Sequence, residues 1–222
     1  MTVRPDEVRV REVLRRLDEA YGTDDIIYLT HEKDWQLLVA VILSAQCTDA
    51  RVNMVTPHLF ERYDTLQKLA DADIHELEEE IRSIGFYHAK AKNIIGTSKR
   101  LIEVYGGRVP DTMEELLTLP GVGRKTANLM LGNIYHTPGI VVDTHVKRIS
   151  RKLGFTEETD PEKVEYDLMD VLPTEHWIRY NMQIITLGRT ICTARKPDCT
   201  ACFLREVCPS AENTDKMKRS DT

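Results

Sequence analysis

LPGVGRKTANLML, residues 119–131, sets two glycines two positions apart, follows them with the basic pair Arg124–Lys125, and then runs into apolar residues. A phosphate loop is the first candidate for such a stretch, and it fails on spacing. The pattern G-x-x-x-x-G-K-[ST] ending at Lys125 and Thr126 needs glycines at 119 and 124, where the chain has Leu119 and Arg124. What remains is a tight glycine turn between a short helix ending before Pro120 and a second helix starting near Arg124. Gly121 and Gly123 there admit positive φ and close backbone approach, and successive N–H groups face outward. The second helix adds its positive dipole end at the same place. Such a turn holds a nucleic-acid backbone as readily as a nucleotide.

The sequence on either side of the turn is helical as well. WQLLVAVILSAQ (35–46) is continuously apolar and predicts a buried central helix. HAKAKNIIGTSKRLIEVY (88–105) places Ile94, Ile95, Leu101, Ile102 and Tyr105 near helical spacing with lysines between them. Gly106–Gly107 stops that helix, and Val109–Pro110–Asp111–Thr112 starts the next. DTHVKRISRKL begins at Asp143, a good N-cap. Only GIVV (139–142) is strand-like. The expectation is an all-α protein, with a polar, disordered tail over 210–222.

A chain of 222 residues accommodates one large domain or two small ones, and 41% hydrophobic with 30% charged residues is ordinary for a soluble protein. No apolar run reaches membrane-spanning length and MTVRPDEVRVREV is too charged for a secretory signal, so a cytoplasmic protein is expected. The net charge of −6 argues mildly against a polyanion partner, but the charges are segregated. Residues 71–80 carry six acids and no Lys or Arg, whereas 86–100 hold Lys90, Lys92, Lys99 and Arg100 with no acid. Residues 144–152 hold Lys147, Arg148, Arg151 and Lys152, again with no acid. Local field decides what a polyanion meets, so these two segments are the candidate nucleic-acid faces.

Four of the five cysteines, Cys192, Cys199, Cys202 and Cys208, form C-x6-C-x2-C-x5-C. Crowded cysteines in an intracellular chain point to a metal centre rather than disulfides. Four thiolates with no histidine suit tetrahedral zinc or a cubane iron–sulfur cluster. Zinc ribbons pair two short C-x-x-C knuckles and there is one here, so the spacing favours the cluster.

Together these stretches resemble a known family. LPGVGRKTA is similar to the helix–hairpin–helix of the DNA glycosylases, and VDTHV, with Asp143 eighteen residues after Lys125, is similar to the segment carrying their shared aspartate. LSAQCTD (43–49) and the cysteine loop complete a resemblance to the endonuclease III family, from about residue 10 to 209. The resemblance implies a bifunctional pyrimidine-lesion glycosylase and abasic-site lyase with one 4Fe–4S cluster on the four cysteines. It implies two all-α domains with DNA between them: a helical barrel near 27–137 carrying the hairpin, and a cluster domain combining 1–26 with 138–222. The implied partner is double-stranded DNA containing damaged pyrimidines or abasic sites, met by a monomer in the cytoplasm, associated with a prokaryotic nucleoid, with no membrane involved.

Residue by residue, the resemblance makes Lys125 the nucleophile that forms a Schiff base and cleaves by β-elimination. An amine must be neutral to attack, and positive charge from Arg124 and the helix start favours that form. Asp143 would offset positive charge developing on the sugar; a carboxylate at a helix start suits that task better than that of a general acid. A base must leave the stack to be reached, with Gln46 as the polar filler and the IGFY turn (84–87) as the wedge. Phe86 stands where the family often has leucine and is also readable as a core aromatic. His145 would meet a DNA phosphate, as would the amides of Gly121, Gly123 and Arg124. Arg195 and Lys196 would be presented to phosphates by the cluster loop. Asp49 lines the lesion pocket or caps a helix, and Cys47 packs as a small hydrophobe.

Three rival readings are discriminated by particular residues. A uracil, thymine or adenine mismatch glycosylase would share the hairpin, aspartate and cluster, but such relatives generally lack a lysine at position 125. A ferredoxin-like carrier would show C-x2-C-x2-C-x3-C-P, which the chain does not. A non-catalytic iron–sulfur DNA-binding protein would have no use for both Lys125 and Asp143.

Overall fold

A computed structural model describes residues 5–23 and 29–211. In chain order the α-helices are α1 (Glu7–Tyr21), α2 (Asp34–Ser44), α3 (Asp49–Arg62), α4 (Leu66–Ala70), α5 (Ile74–Glu80) and α6 (Tyr87–Tyr105), then α7 (Met113–Leu116), α8 (Arg124–Tyr135), α9 (Thr144–Lys152), α10 (Pro161–Val171) and α11 (Trp177–Thr190). Among the described residues there is no strand, and GIVV is irregular backbone: with no neighbouring strand to pair with, β propensity has nothing to satisfy its backbone groups. No described helix is long and apolar enough to cross a membrane. The chain forms two compact units, residues 27–137 and a discontinuous one made of 1–26 with 138–222.

In the 27–137 unit, α2 is buried from Trp35 to Leu43 and packs against α3, α6 and α8. Surrounded on all sides, it needs no polar face, which explains the unbroken apolar run. It starts where Gln36 Oε1 accepts from the Glu32 and Lys33 N–H groups at 2.9 and 3.0 Å. It ends at Ser44, two residues earlier than the apolar run suggests, because Gln46 takes a left-handed φ of 54°. α6 buries Lys90, Ala91, Ile94, Thr97, Ser98 and Leu101, a stripe at helical spacing. At its end Gly106 has φ 60° and the Gly107 N–H closes back on Leu101 O at 2.8 Å, so the glycine pair does stop the helix.

The other unit closes around a second core. α1 contributes Val10, Val13, Leu14 and Leu17, spaced i, i+3, i+4 and i+7, and packs on α11. Burying each of those side chains contributes about 1.5 to 3 kcal/mol. Tyr180 of α11 is fully buried and its hydroxyl pairs with Ser150 Oγ at 2.9 Å; burial pushes that phenol well above its ordinary pKa. α1 is also clamped through Asp18, whose carboxylate accepts from Arg179 Nε at 3.0 Å, Gln183 Nε2 at 2.8 Å and His176 Nε2 at 2.9 Å. Ser210 and Ala211, expected to belong to a disordered tail, are held in place. Ser210 Oγ donates to Lys152 O at 2.8 Å and Ala211 is buried, because the chain leaving Cys208 packs back onto the end of α9; residues 212–222 lie outside the described residues.

Candidate functional site

The hairpin is built on α6. Gly121 has φ 77°, and a Cβ there would meet the Asn93 side chain at 2.7 to 3.0 Å, so glycine is required both for the turn and for the approach of α6. Thr97 Oγ1 of α6 donates to Pro120 O at 2.7 Å and fixes the turn from the same side. Gly123 differs: its φ is −103°, nothing stands within 4 Å of a Cβ, and it is the N-cap of α8. The first helical backbone bond of α8 runs from the Ala127 N–H to Gly123 O at 2.9 Å. A helix start leaves the N–H groups before that bond without helical partners. Lys125 is exposed in that first turn, directly after the partly buried Arg124.

Two further turns of the same unit carry exposed side chains in strained backbone. Gln46 is exposed at φ 54°, and Phe86 is 65% exposed at φ 61°, immediately before α6. That exposure removes the core reading of Phe86. Asp49 is not a helix cap; Thr48 caps α3, its Oγ1 accepting from the Arg51 N–H at 3.3 Å. Cys47 packs against the core.

The basic segments are less uniform than their sequences suggest. Lys92 and Lys99 are exposed, but Lys90 is buried, its Nζ donating to Leu43 O at 2.9 Å and Ala45 O at 2.7 Å. Burial lowers its pKa, with the Cys47 thiol acting in the opposite sense. Sequence reading took Lys90 for a surface cation; the signal against this is that 90, 94, 97 and 101 share one helical stripe. In the second segment, Arg148 turns inward, with Nη1 donating to Cys192 O at 2.7 Å and standing 3.7 Å from Cys192 Sγ.

In the discontinuous unit Asp143 caps α9, its Oδ1 accepting from the Val146 N–H at 2.8 Å. His145 lies against α11 at Gly188, where a Cβ would fall on the ring Nδ1 and stand 3.1 Å from its Cγ. Sequence reading did not single out Gly188, a small residue inside a helix with nothing local to explain it. None of the four cysteines is in a disulfide; all are partly buried and line one pocket with Lys152, Ile191 and Pro197. Arg195 and Lys196 are exposed on the turn between the first two, which Thr193 holds by donating to Lys196 O at 2.6 Å.

The model for HhH-GPD superfamily base excision DNA repair proteins matches residues 39–174, and that for the iron–sulfur binding domain of endonuclease III matches 192–208. Endonuclease III of Synechocystis is 50% identical over 205 residues, covering 92% of this chain and 93% of that protein. The chain belongs to the endonuclease III family. Endonuclease III of Bacillus subtilis is 45% identical, covering 85% of this chain and 86% of that protein. A solved endonuclease III in a trapped covalent intermediate with DNA superposes with a TM-score of 0.88 at 41% identity, covering 95% of this chain and 99% of that one. A thermostable thymine-DNA glycosylase shares the fold, with a TM-score of 0.82 at 20% identity and coverage of 93% and 98%.

Like other endonuclease III proteins, the chain carries a 4Fe–4S cluster, and the cysteine pocket fits one. Burial pushes the Cys202 and Cys208 thiols up, and repulsion among the four cysteines adds to it, against the pull of the Leu204, Ser210 and Ala211 amides. Four thiolates in such a pocket are stable around a positive group. Arg16 of α1 braces the loop, donating to Phe203 O and to Glu206 at 2.8 Å each.

Proposed function

We propose that this base excision repair DNA glycosylase and abasic-site lyase acts on oxidised pyrimidines in duplex DNA, as a monomer, with Lys125 as its nucleophile. The observation that carries the reading is the exposed Lys125 in the first turn of α8, directly behind the Gly121–Gly123 turn. Backbone amides there grip phosphate, while the lysine amine attacks C1′ of the damaged nucleotide. Attack displaces the base and leaves a Schiff base; loss of a C2′ proton then expels the 3′ phosphate by β-elimination. The trapped covalent intermediate of an endonuclease III relative with DNA supports a covalent route.

The Asp143 carboxylate offsets positive charge developing on the sugar and helps manage the proton of the Lys125 amine. Gln46 fills the hole left by the extruded base and Phe86 wedges the stack, in keeping with their exposure in stiff turns. His145, Arg195, Lys196 and the hairpin residues Gly121, Gly123 and Arg124 meet phosphates. Cys192, Cys199, Cys202 and Cys208 hold the cluster. Bound there, it ties down the loop that presents Arg195 and Lys196. Borohydride trapping on an abasic-site duplex tests the assignment. Wild type should give a covalent adduct, and Lys125→Gln should give neither adduct nor strand cleavage while keeping its affinity for the duplex. Adduct formed by Lys125→Gln at the wild-type rate would make another amine the nucleophile.

A further inference from the structure

Lys90 lies in the first turn of α6, four residues after Phe86, and is only 5% exposed. Its backbone N–H donates to Phe86 O at 3.1 Å, and its Nζ reaches Leu43 O and Ala45 O. Those carbonyls lie at the C-terminal end of α2, where no further helical turn can satisfy them. The neighbouring carbonyls are also occupied: Ser44 Oγ donates to Val41 O at 2.9 Å and the Cys47 N–H to Ser44 O at 3.0 Å. An ammonium at this place also meets the negative end of the α2 dipole.

Burying an ammonium without a carboxylate partner is costly, and an apolar side chain would suit the stripe of α6 better. What the lysine supplies instead is a connection. Gln46 and Phe86 are two of the three non-glycine residues with positive φ among the described residues. Such backbone persists only where surrounding contacts over-determine it. Lys90 touches both turns: its own helix leaves Phe86, and its side chain caps the turn bearing Gln46.

We propose that Lys90 is a positioning residue for base extrusion, its buried ammonium locking the 44–47 turn to the start of α6 so that Gln46 and Phe86 meet the duplex as one rigid pair. The proposal rests on the reading of Gln46 as the residue that fills the vacated space. A filler must be in place when the base leaves the stack, so a loosened turn slows extrusion. Grip on undamaged duplex persists, because the hairpin supplies it.

The test is single-turnover excision from a thymine glycol duplex by the cluster-loaded full chain as Lys90→Met, Gln46→Ala and the double variant. Methionine keeps the apolar stem and loses both hydrogen bonds of Nζ. Lys90→Met should excise about tenfold more slowly, with affinity for undamaged duplex within about twofold of wild type and the double variant within about twofold of the slower single. Wild-type excision by Lys90→Met overturns the proposal, as do losses that multiply fully in the double variant. A parallel fall in undamaged-duplex affinity also overturns it, by marking a general structural role. A silent Gln46→Ala overturns the filler reading and with it any action of Lys90 through Gln46, a pattern distinct from multiplying losses. Should Lys90→Met fail to fold, Lys90→Gln, too short for both carbonyls, is read on the same cycle with the same outcomes.

Discussion

Gly121 and Gly123 are interchangeable in the motif and not in the structure, and alanine at each separates the two. At Gly121 the φ of 77° puts any side chain in the left-handed region, which costs about 1 to 2 kcal/mol. A Cβ there also stands 2.7 Å from Asn93 Nδ2 and 2.9 Å from Asn93 Cβ, so the base of that side chain has to move and not only its tip. Crowding of this kind adds about 1 to 3 kcal/mol. At Gly123 neither term applies, since φ is −103° and no atom stands within 4 Å. Only the weaker N-cap preference of alanine remains, worth about 0.5 to 1 kcal/mol. Gly121→Ala should therefore lower the melting temperature by about 4 to 20 °C and Gly123→Ala by about 1 to 4 °C, at about 2 to 4 °C per kcal/mol for a chain of this size. Circular dichroism melts of the cluster-loaded proteins measure both. Equal shifts, or a larger one for Gly123→Ala, would refute the assignment of the strain to Gly121 and its contact with α6.

The Asp18 carboxylate is held below its ordinary pKa: burial opposes the charge, but hydrogen bonds from Arg179, Gln183 and His176 outweigh it. A depressed carboxylate stabilises above its unfolded pKa and loses that contribution as pH falls through the folded value, below about pH 4. The melting-temperature gap between wild type and Asp18→Asn should thus be widest near neutral pH and narrow on acidification; a constant gap down to pH 3 would contradict it. Gly188→Ala should destabilise by displacing the His145 ring, and most of that loss should vanish in a His145→Ala background, where Ile149 Cδ1 at 3.1 Å is the far end of a flexible side chain and helix propensity favours alanine by about 0.5 to 1 kcal/mol. Equal destabilisation in both backgrounds would place the crowding elsewhere. DNA affinity should fall with salt, and Lys92→Gln or Lys99→Gln, where the residue meets a phosphate, should flatten the log–log slope by about 0.9 each. Lys90→Met should leave the slope unchanged, and a flatter slope for it would mean that its ammonium reaches DNA.

Much of the fold was legible because it is written locally. The run through α2, the stop at Gly106–Gly107, the helix start after Val109–Pro110–Asp111–Thr112, the cap Asp143 and the cysteine spacing each follow from a few adjacent residues. What escaped depends on partners distant in sequence. Lys90 was read with its charge class, although its place on the stripe with Ile94, Thr97 and Leu101 marked it as inward-facing. Arg148 was misread for the same reason, since only the loop at Cys192 explains its direction. The early end of α2 was hidden because apolar residues continue past it, and what stops the helix is a capped turn held by α6. Gly188 carries no turn signal, and its reason is a ring from another helix.

The discontinuous unit has a consequence for how the protein is made. Val10, Val13, Leu14 and Leu17 of α1 complete a core whose other members, including Tyr180, Ile184 and Leu204, follow residues 27–137 in the chain. At synthesis rates of 5–20 residues per second, α1 waits on the order of ten seconds or more for Leu204 to emerge. During that time the 27–137 unit, whose core is contiguous in sequence, is free to form alone. Arg16 reaches Phe203 only after the wait, so the brace on the cysteine loop arrives last. Biogenesis therefore passes through a stage in which the hairpin half can be finished while the apolar stripe of the amphipathic α1 stands exposed and the metal centre is unbuilt.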